Sequence, residues 1–125
     1  MPDTELWKTR PDPHDFPAAA DYLTLLLPER EVRRVIAALR KAPTLRKKAK
    51  DLLRASRLPI LPPTNVHVKG DLKKVRRGQR LSPVLLVRGS LRRQADLTVA
   101  DGYHRICASY ELDENADIPC RIADM

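Results

Sequence analysis

Residues 97–112, which read LTVADGYHRICASYEL, decide the fold class of this chain. Leu97–Ala100 is a short run of apolar and β-branched residues, the pattern of a strand. Tyr103–Leu112 follows after only two residues, Asp101-Gly102, and has the spacing of a helix whose inward face carries Ile106, Cys107 and Tyr110. A strand that passes almost directly into a helix predicts a fold that contains both element types.

Two further strands are predicted on either side of this stretch. Pro83–Arg88 is a continuous apolar run, typical of a buried strand, and Gly89-Ser90 turns the chain after it. Ile118–Ile122 predicts a last strand. Because Pro119 lacks a backbone donor, we expect this last strand to lie near an edge of the sheet.

The N-terminal half has a helical pattern. Prolines and little periodicity predict an extended arm over residues 1–16, with Trp7 packing the arm onto the body. Three helices are expected after the arm, the first capped by Asp15, and a fourth, basic helix ends at Gly78. These predicted helices are Pro17–Leu27, Glu29–Ala42, Pro43–Ser56 and Asp71–Arg77.

Together these elements predict an α/β (α+β) protein with a small mixed sheet and flanking helices. The proline-rich segment 58–63 cannot be a central strand and connects a helical region to a β-containing one. The chain has 125 residues, a common size for one domain. We therefore expect residues 1–62, an arm and helical region, to pack on a core of residues 63–125 as a single compact domain.

Charge is unevenly distributed along the chain. The formal net charge is +8, but residues 30–93 contain twenty lysines and arginines against only three acids. Such a block attracts polyanions, and we expect DNA or RNA to bind through residues 30–93 with strong salt dependence. The alternative is a solvated basic face that the acidic ends of the chain partly neutralise.

Cysteine usage and hydropathy indicate the compartment. Cys107 and Cys120 are too few for a disulfide scaffold and are expected to be buried free thiols. No apolar run approaches the roughly 20 residues of a membrane helix, and the acidic start lacks a signal-peptide pattern. We expect a cytoplasmic protein with no membrane partner. His14 and His67 are expected to be ordinary arm or loop residues, so no structural metal is predicted.

The joint at Asp101-Gly102 has a specific chemistry. The start of a helix exposes free backbone amides, and glycine lets an anion approach them closely. His104 and Arg105, in the first turn, can add charge-assisted hydrogen bonds to phosphate oxygens. The alternative is that Asp101 caps a helix whose His104 and Arg105 face solvent.

The segment from Asp71 to Ile122 resembles the core of the ParB/sulfiredoxin superfamily. The resemblance rests on the order of elements and on four features: the helix ending at Gly78, LSPVLLV at 81–87, DGYHRICAS at 101–109 and IPCRI at 118–122. It implies that Gly102, Tyr103, His104 and Arg105 bind the phosphates of ATP, ADP or CTP, with Mg²⁺ as a companion ion. Asp101 looks similar to the residue before this glycine in the serine-kinase branch. In the nucleotide-binding interpretation, Asp101 either holds Mg²⁺ or caps the helix.

This sequence departs from the family pattern at two positions, and these differences limit which of the family's activities we expect. Sulfiredoxins need a cysteine at the position of Tyr103, so that activity is not expected here. Partitioning proteins have Glu and Arg where Tyr103 and His104 stand.

Three functions are therefore compatible with the sequence. The first is a nucleotide-binding protein with DNA or RNA as an electrostatic partner. The second is a metal-dependent phosphotransferase or nuclease, in which His104 and Asp101 are the catalytic residues and Asp101 also binds the metal. The third is an adaptor that keeps the fold without its ligand.

A nucleic-acid surface is predicted on the basic helix and on the turn between the strands. The candidate residues are Lys73, Lys74, Arg76, Arg77, Arg80, Arg88, Arg92 and Arg93. They line a nucleic-acid backbone in one interpretation and form a solvated surface in the other. Aromatic residues are scarce, which disfavours binding of single strands through stacked bases.

Overall fold

The computed structural model describes residues 6–125 and confirms a mixed α/β fold. Within this range five helices flank a four-stranded sheet. The helices are α1 Asp15–Leu23, α2 Glu29–Lys41, α3 Ala49–Ser56, α4 Val66–Arg76 and α5 Tyr103–Leu112. The strands are β1 Leu45–Lys48, β2 Val84–Val87, β3 Thr98–Asp101 and β4 Asp117–Ala123.

The sheet has the strand order β1-β4-β2-β3, so β4 is an interior strand. It pairs antiparallel with β1 and parallel with β2, whereas β2 and β3 are antiparallel. The expectation that Pro119 places this strand near an edge is therefore wrong. The parallel pairing with β2 begins at Cys120, one residue later, so the missing donor of Pro119 lies where β2 is not yet alongside.

Alternate side chains of β2 divide the interior into two layers. Val84 and Leu86 pack with α3, α4 and α5 on one face of the sheet. Leu85 and Val87 pack with α1 and α2 on the other. All four side chains are buried, because helices cover both faces, and this explains the continuous apolar run in the sequence.

The predicted helix Pro43–Ser56 is only partly correct. Its first part is the edge strand β1, which pairs with β4, and α3 begins only at Ala49. All four side chains of β1 are exposed, so no apolar alternation marks it as a strand. Backbone pairing with a strand about 70 residues away overrides the local helical spacing.

Two helix starts also differ from the sequence expectation. Asp15 does not cap a helix from Pro17; it is the first residue of α1, and its carboxylate accepts a hydrogen bond from the Asp12 amide. The basic helix predicted from Asp71 begins earlier, at Val66. The side chain of Asn65 caps it by accepting hydrogen bonds from two backbone amides, those of His67 and Val68.

The arm packs onto the body as expected from Trp7. The Trp7 side chain is almost fully buried, and the Trp7 backbone forms an isolated parallel β-bridge with Leu81, just before β2. The part of the predicted arm over residues 1–5 lies outside the described residues. Among residues 6–125, no helix has both the length and the apolar character that crossing a bilayer requires.

Candidate functional site

Gly102 forms the joint between β3 and α5 and is held there by close packing. Its φ is +110°, a left-handed backbone conformation that residues with a side chain rarely adopt. A β-carbon at this position would lie 2.4 Å from Val84 Cγ1 and 2.9 Å from the Arg105 guanidinium. The residue at this position must therefore be glycine because β2 and Arg105 fill the space beside it.

Arg105 is tied to the strand that precedes its helix. Its Nη2 donates to the Asp101 carboxylate at 2.8 Å and to the Pro83 carbonyl at 3.3 Å. Its Nε is buried and lacks a hydrogen-bond partner among residues 6–125. Arg105 thus joins α5 to both β3 and the start of β2.

Asp101, the predicted metal ligand, lies in this ion pair. Burial raises the pKa of the Asp101 carboxyl, Arg105 opposes the rise, and the nearby Asp15 carboxyl adds to it. The carboxylate therefore pairs with Arg105 and lies near the buried carboxyl of Asp15. A divalent cation at Asp101 would compete with Arg105.

Tyr103 and His104 point toward α4 and the connector. The Tyr103 hydroxyl donates to the Pro59 carbonyl, which anchors the proline-rich segment. The His104 ring lies 4.6 Å, centroid to centroid, from the ring of His67 on α4. Burial, together with the neighbouring His67, lowers the pKa of His104. His67 is thus a helix residue in contact with a predicted site residue, not an isolated loop histidine.

Arg105 also lines a polar cavity of about 430 Å³. The cavity lies between the arm, the basic end of α4 and the segment before β2. Its walls carry four cations, three carboxylates and His14: Lys8, Lys74, Arg80, Arg105, Asp12, Asp15 and Asp71. Of the predicted nucleotide-binding residues only Arg105 reaches this cavity, and two of the predicted nucleic-acid residues, Lys74 and Arg80, join it there.

Most charges in this cavity are paired. Lys8 lies 2.8 Å from Asp12, Lys74 lies 3.9 Å from Asp71, and Arg105 is held by Asp101. The hydrogen bond from Lys8 lowers the pKa of Asp12, whereas burial raises the pKa of Asp71. Within residues 6–125, Arg80 is the lining cation with no carboxylate at ion-pair distance.

The start of α1 contributes a cluster of possible metal ligands that was not predicted from the sequence. Asp12, His14 and Asp15 each offer a ligand atom, and these three atoms lie within 4.8 Å of one another. Asp15 is almost fully buried, and its Oδ1 lies 3.5 Å from His14 Nε2. The Asp-Pro-His-Asp spacing is the available signal, but only the turn into α1 brings the groups together.

The predicted nucleic-acid residues fall into two groups at opposite ends of β2. Lys73, Lys74, Arg76, Arg77 and Arg80 precede the strand, on the end of α4 and the residues after it. Arg88, Arg92 and Arg93 follow the strand, and Arg88 pairs with Asp124. All eight side chains are exposed, but β2 separates the two groups.

No family model, curated protein or solved structure matches this chain. The resemblance to the ParB/sulfiredoxin superfamily is therefore untested by these comparisons and stays a prediction from the sequence.

Proposed function

We propose that this protein binds a nucleotide, as its magnesium complex, in the cavity beside the first turn of α5. The observation that carries the proposal is the position of Arg105. It joins the glycine turn to a cavity wall that also presents Lys8, Lys74 and Arg80. Arginine and lysine side chains of this kind bind phosphate oxygens through charge-assisted hydrogen bonds.

The mixed charge of the cavity favours a metal–phosphate complex over a bare polyanion. Asp12, Asp15 and Asp71 would repel free phosphates, but they attract the cation that accompanies a nucleotide. Carboxylate oxygens are ligands that Mg²⁺ accepts, and Asp12 and Asp15 present such oxygens within 4.8 Å of each other, where Mg²⁺ would displace the exposed Lys8 from Asp12. These residues replace Asp101 as the proposed metal ligands. Bound there, Mg²⁺ would neutralise phosphate charge.

The proposal is limited to binding. The His104 ring lies against His67 and is not part of the cavity wall, and Asp101 is held by Arg105. No contact among the described residues favours the phosphotransferase or nuclease alternatives over simple binding.

We also propose distant membership of the ParB/sulfiredoxin superfamily, which the order α4, β2, β3, α5, β4 and the glycine before α5 support.

We further propose a cytoplasmic setting and a nucleic acid as a second, electrostatic partner. Cys107 and Cys120 are both free and buried, which supports a reducing compartment. The dense positive charge of residues 30–93 supports a polyanionic partner.

The nucleotide proposal is tested by melting temperature in ATP, ADP and CTP, each with and without Mg²⁺. A ligand at about 100 times its Kd adds about 2.7 kcal/mol of stability, a shift of several degrees for a domain of this size. We expect that shift only when Mg²⁺ is present. We expect Arg80→Ala to abolish it, because Arg80 is the lining cation that no carboxylate of the described residues pairs with.

Arg77→Ala is the matched control, since Arg77 is exposed near the same helix end but does not line the cavity. It should leave the nucleotide response unchanged. An equal response in the Arg80→Ala protein would contradict the proposed site. The absence of any response to the three nucleotides would favour the adaptor alternative.

A further inference from the structure

A second cavity, of about 440 Å³, lies where the arm passes the C-terminal end of α2 and strand β4. Four cationic side chains line it: Arg10, Arg40, Lys41 and Arg121. They come from three separate segments of the chain, so only the fold brings them together. We call this cavity the basic cleft.

The basic cleft differs from the first cavity because, over residues 6–125, none of its lining residues is acidic. Among residues 6–125, no carboxylate lies at ion-pair distance from any of its four cations. The first cavity, in contrast, pairs three of its four cations with aspartates. Because like charges in one concave site repel each other, a bound anion would stabilise this arrangement.

Two of the four guanidinium groups are held in place before any ligand arrives. Arg121 Nη1 donates to the carbonyls of Leu39 and Arg40, at 3.3 and 2.9 Å, and its Nε donates to Thr44 Oγ1 at 3.4 Å. The Arg40 guanidinium lies 4.5 Å above the centroid of the Phe16 ring. Arg121 Nη2 makes no hydrogen bond within the described range and remains available as a donor.

The electrostatic environment of Arg121 is consistent with this geometry. Burial lowers the pKa of Arg121, and the neighbouring Arg10 lowers it further. Arg10 is therefore close enough to oppose the charge of Arg121. An anion between the two would relieve that repulsion.

The positive surface continues beyond the basic cleft along the sheet edge. Thr44, which accepts the hydrogen bond from Arg121, is followed directly by β1. The exposed side chains of β1 include Arg46, Lys47 and Lys48. A line of cations that extends from a cleft along an edge strand fits an extended polyanion better than a small anion.

The aromatic content of the cleft bears on the kind of nucleic acid. Its one aromatic side chain, Phe16, is buried and covered by Arg40, so no base can stack on it. Single-strand binding relies on such stacking, whereas a duplex presents only backbone phosphates to a surface of this kind.

We propose that the basic cleft binds a backbone phosphate of a nucleic-acid duplex that runs along β1. The inference rests on the proposed nucleic-acid partner and assigns it to a surface other than the predicted one on α4 and the turn after β2. Arg10, Lys41 and Arg121 Nη2 contact the phosphate, and Arg40 lies beside it.

The test is fluorescence anisotropy with a labelled DNA duplex over a series of salt concentrations. The double variant Arg10→Gln/Lys41→Gln removes two exposed cations that form no ion pair within residues 6–125, and its melting temperature verifies that it is folded. Losing the one phosphate contact of the cleft flattens the slope of log K against log salt by about 0.9, which is roughly 8-fold in affinity at about 0.1 M salt relative to 1 M.

The control variant Arg92→Gln/Arg93→Gln removes the same charge from the turn after β2 and should bind nearly as wild type does. Equal losses in the two variants, or a larger loss in the control, would overturn the assignment and leave the nucleic-acid partner standing. Absence of duplex binding by the wild-type protein at low salt would overturn both. Binding of inorganic tripolyphosphate that is lost in the cleft variant, without duplex binding, would assign the cleft to small anions instead.

Discussion

At the scale of single residues, Gly102 and Arg105 act together at the start of α5. The joint needs a positive φ, and it also brings the backbone against Val84 of β2. Arg105 then fills the remaining space and binds the carboxylate of Asp101 and the carbonyl of Pro83. Glycine at this turn has a packing reason that is independent of any ligand.

This packing predicts that Gly102→Ala destabilises the protein strongly. The new methyl group would meet Val84 Cγ1 at 2.4 Å, and the alanine backbone would have to keep an unfavourable positive φ. Backbone strain and overpacking each contribute about 1–3 kcal/mol, so we expect a loss of about 3 kcal/mol in the free energy of unfolding. Urea denaturation measures it.

Gly70→Ala is the matched control for this substitution. Gly70 lies inside α4, and an added β-carbon there has no atom within 4 Å. Alanine in a helix interior should stabilise by about 0.5–1 kcal/mol. Similar effects at the two glycines would contradict the packing explanation.

At the scale of secondary-structure elements, side-chain hydrogen bonds at the ends of helices hold the elements in place. Arg121 on β4 donates to two carbonyls of the last turn of α2, which helices otherwise leave without intrahelical partners. Asn65 satisfies two amides at the start of α4. The arm contributes Lys8, Asp12 and His14 to the first cavity, where Asp15 of α1 joins them, and it contributes Arg10 to the basic cleft.

The cap on α4 predicts the effect of Asn65→Ala. The substitution removes the acceptor for the amides of His67 and Val68, and we expect a loss of about 1 kcal/mol in the free energy of unfolding. Urea denaturation should show this loss. Asn65→Asp keeps a capping oxygen and should retain most of the stability; a loss as large as that of the alanine variant would argue against the cap.

At the scale of the whole molecule, one sheet separates two cores that share its strands. Trp7 and the helices α3, α4 and α5 lie on one face, and Phe16 with α1 and α2 lies on the other. β1, from the region expected to be helical, is part of the same sheet as β2, β3 and β4. The two layers should therefore unfold together.

This arrangement predicts that Leu85→Ala weakens both layers equally. Leu85 is fully buried on the α1 and α2 face, and its truncation should cost about 2–5 kcal/mol. Trp7 lies in the opposite core, so its fluorescence reports on the other layer. During urea denaturation the Trp7 signal and the far-UV circular dichroism should shift by the same amount. A Trp7 transition that stays at its wild-type midpoint would show that the layers unfold independently.

Several elements could be predicted from the sequence because their signals are local. Tyr103–Leu112 is the helix that was expected, residue for residue, since its spacing and the preceding glycine both mark it. The strands around Val84–Val87 and Thr98–Asp101 follow from apolar runs between turn residues. Both cysteines are buried free thiols, as their apolar neighbours indicate.

Other features depend on contacts between distant segments, which periodicity does not record. β1 is a strand only because β4 lies beside it, and Pro119 is tolerated inside the sheet only because β2 begins one residue later. The same difference between local and long-range contacts applies to the candidate binding sites. Sequence by itself determined the glycine turn and the excess of positive charge, because composition and local pattern are properties of neighbouring residues. Tertiary structure alone decided that Arg105 reaches the Pro83 carbonyl and that Arg10 and Arg121 line one cavity, because such contacts exist only when the chain has folded back on itself.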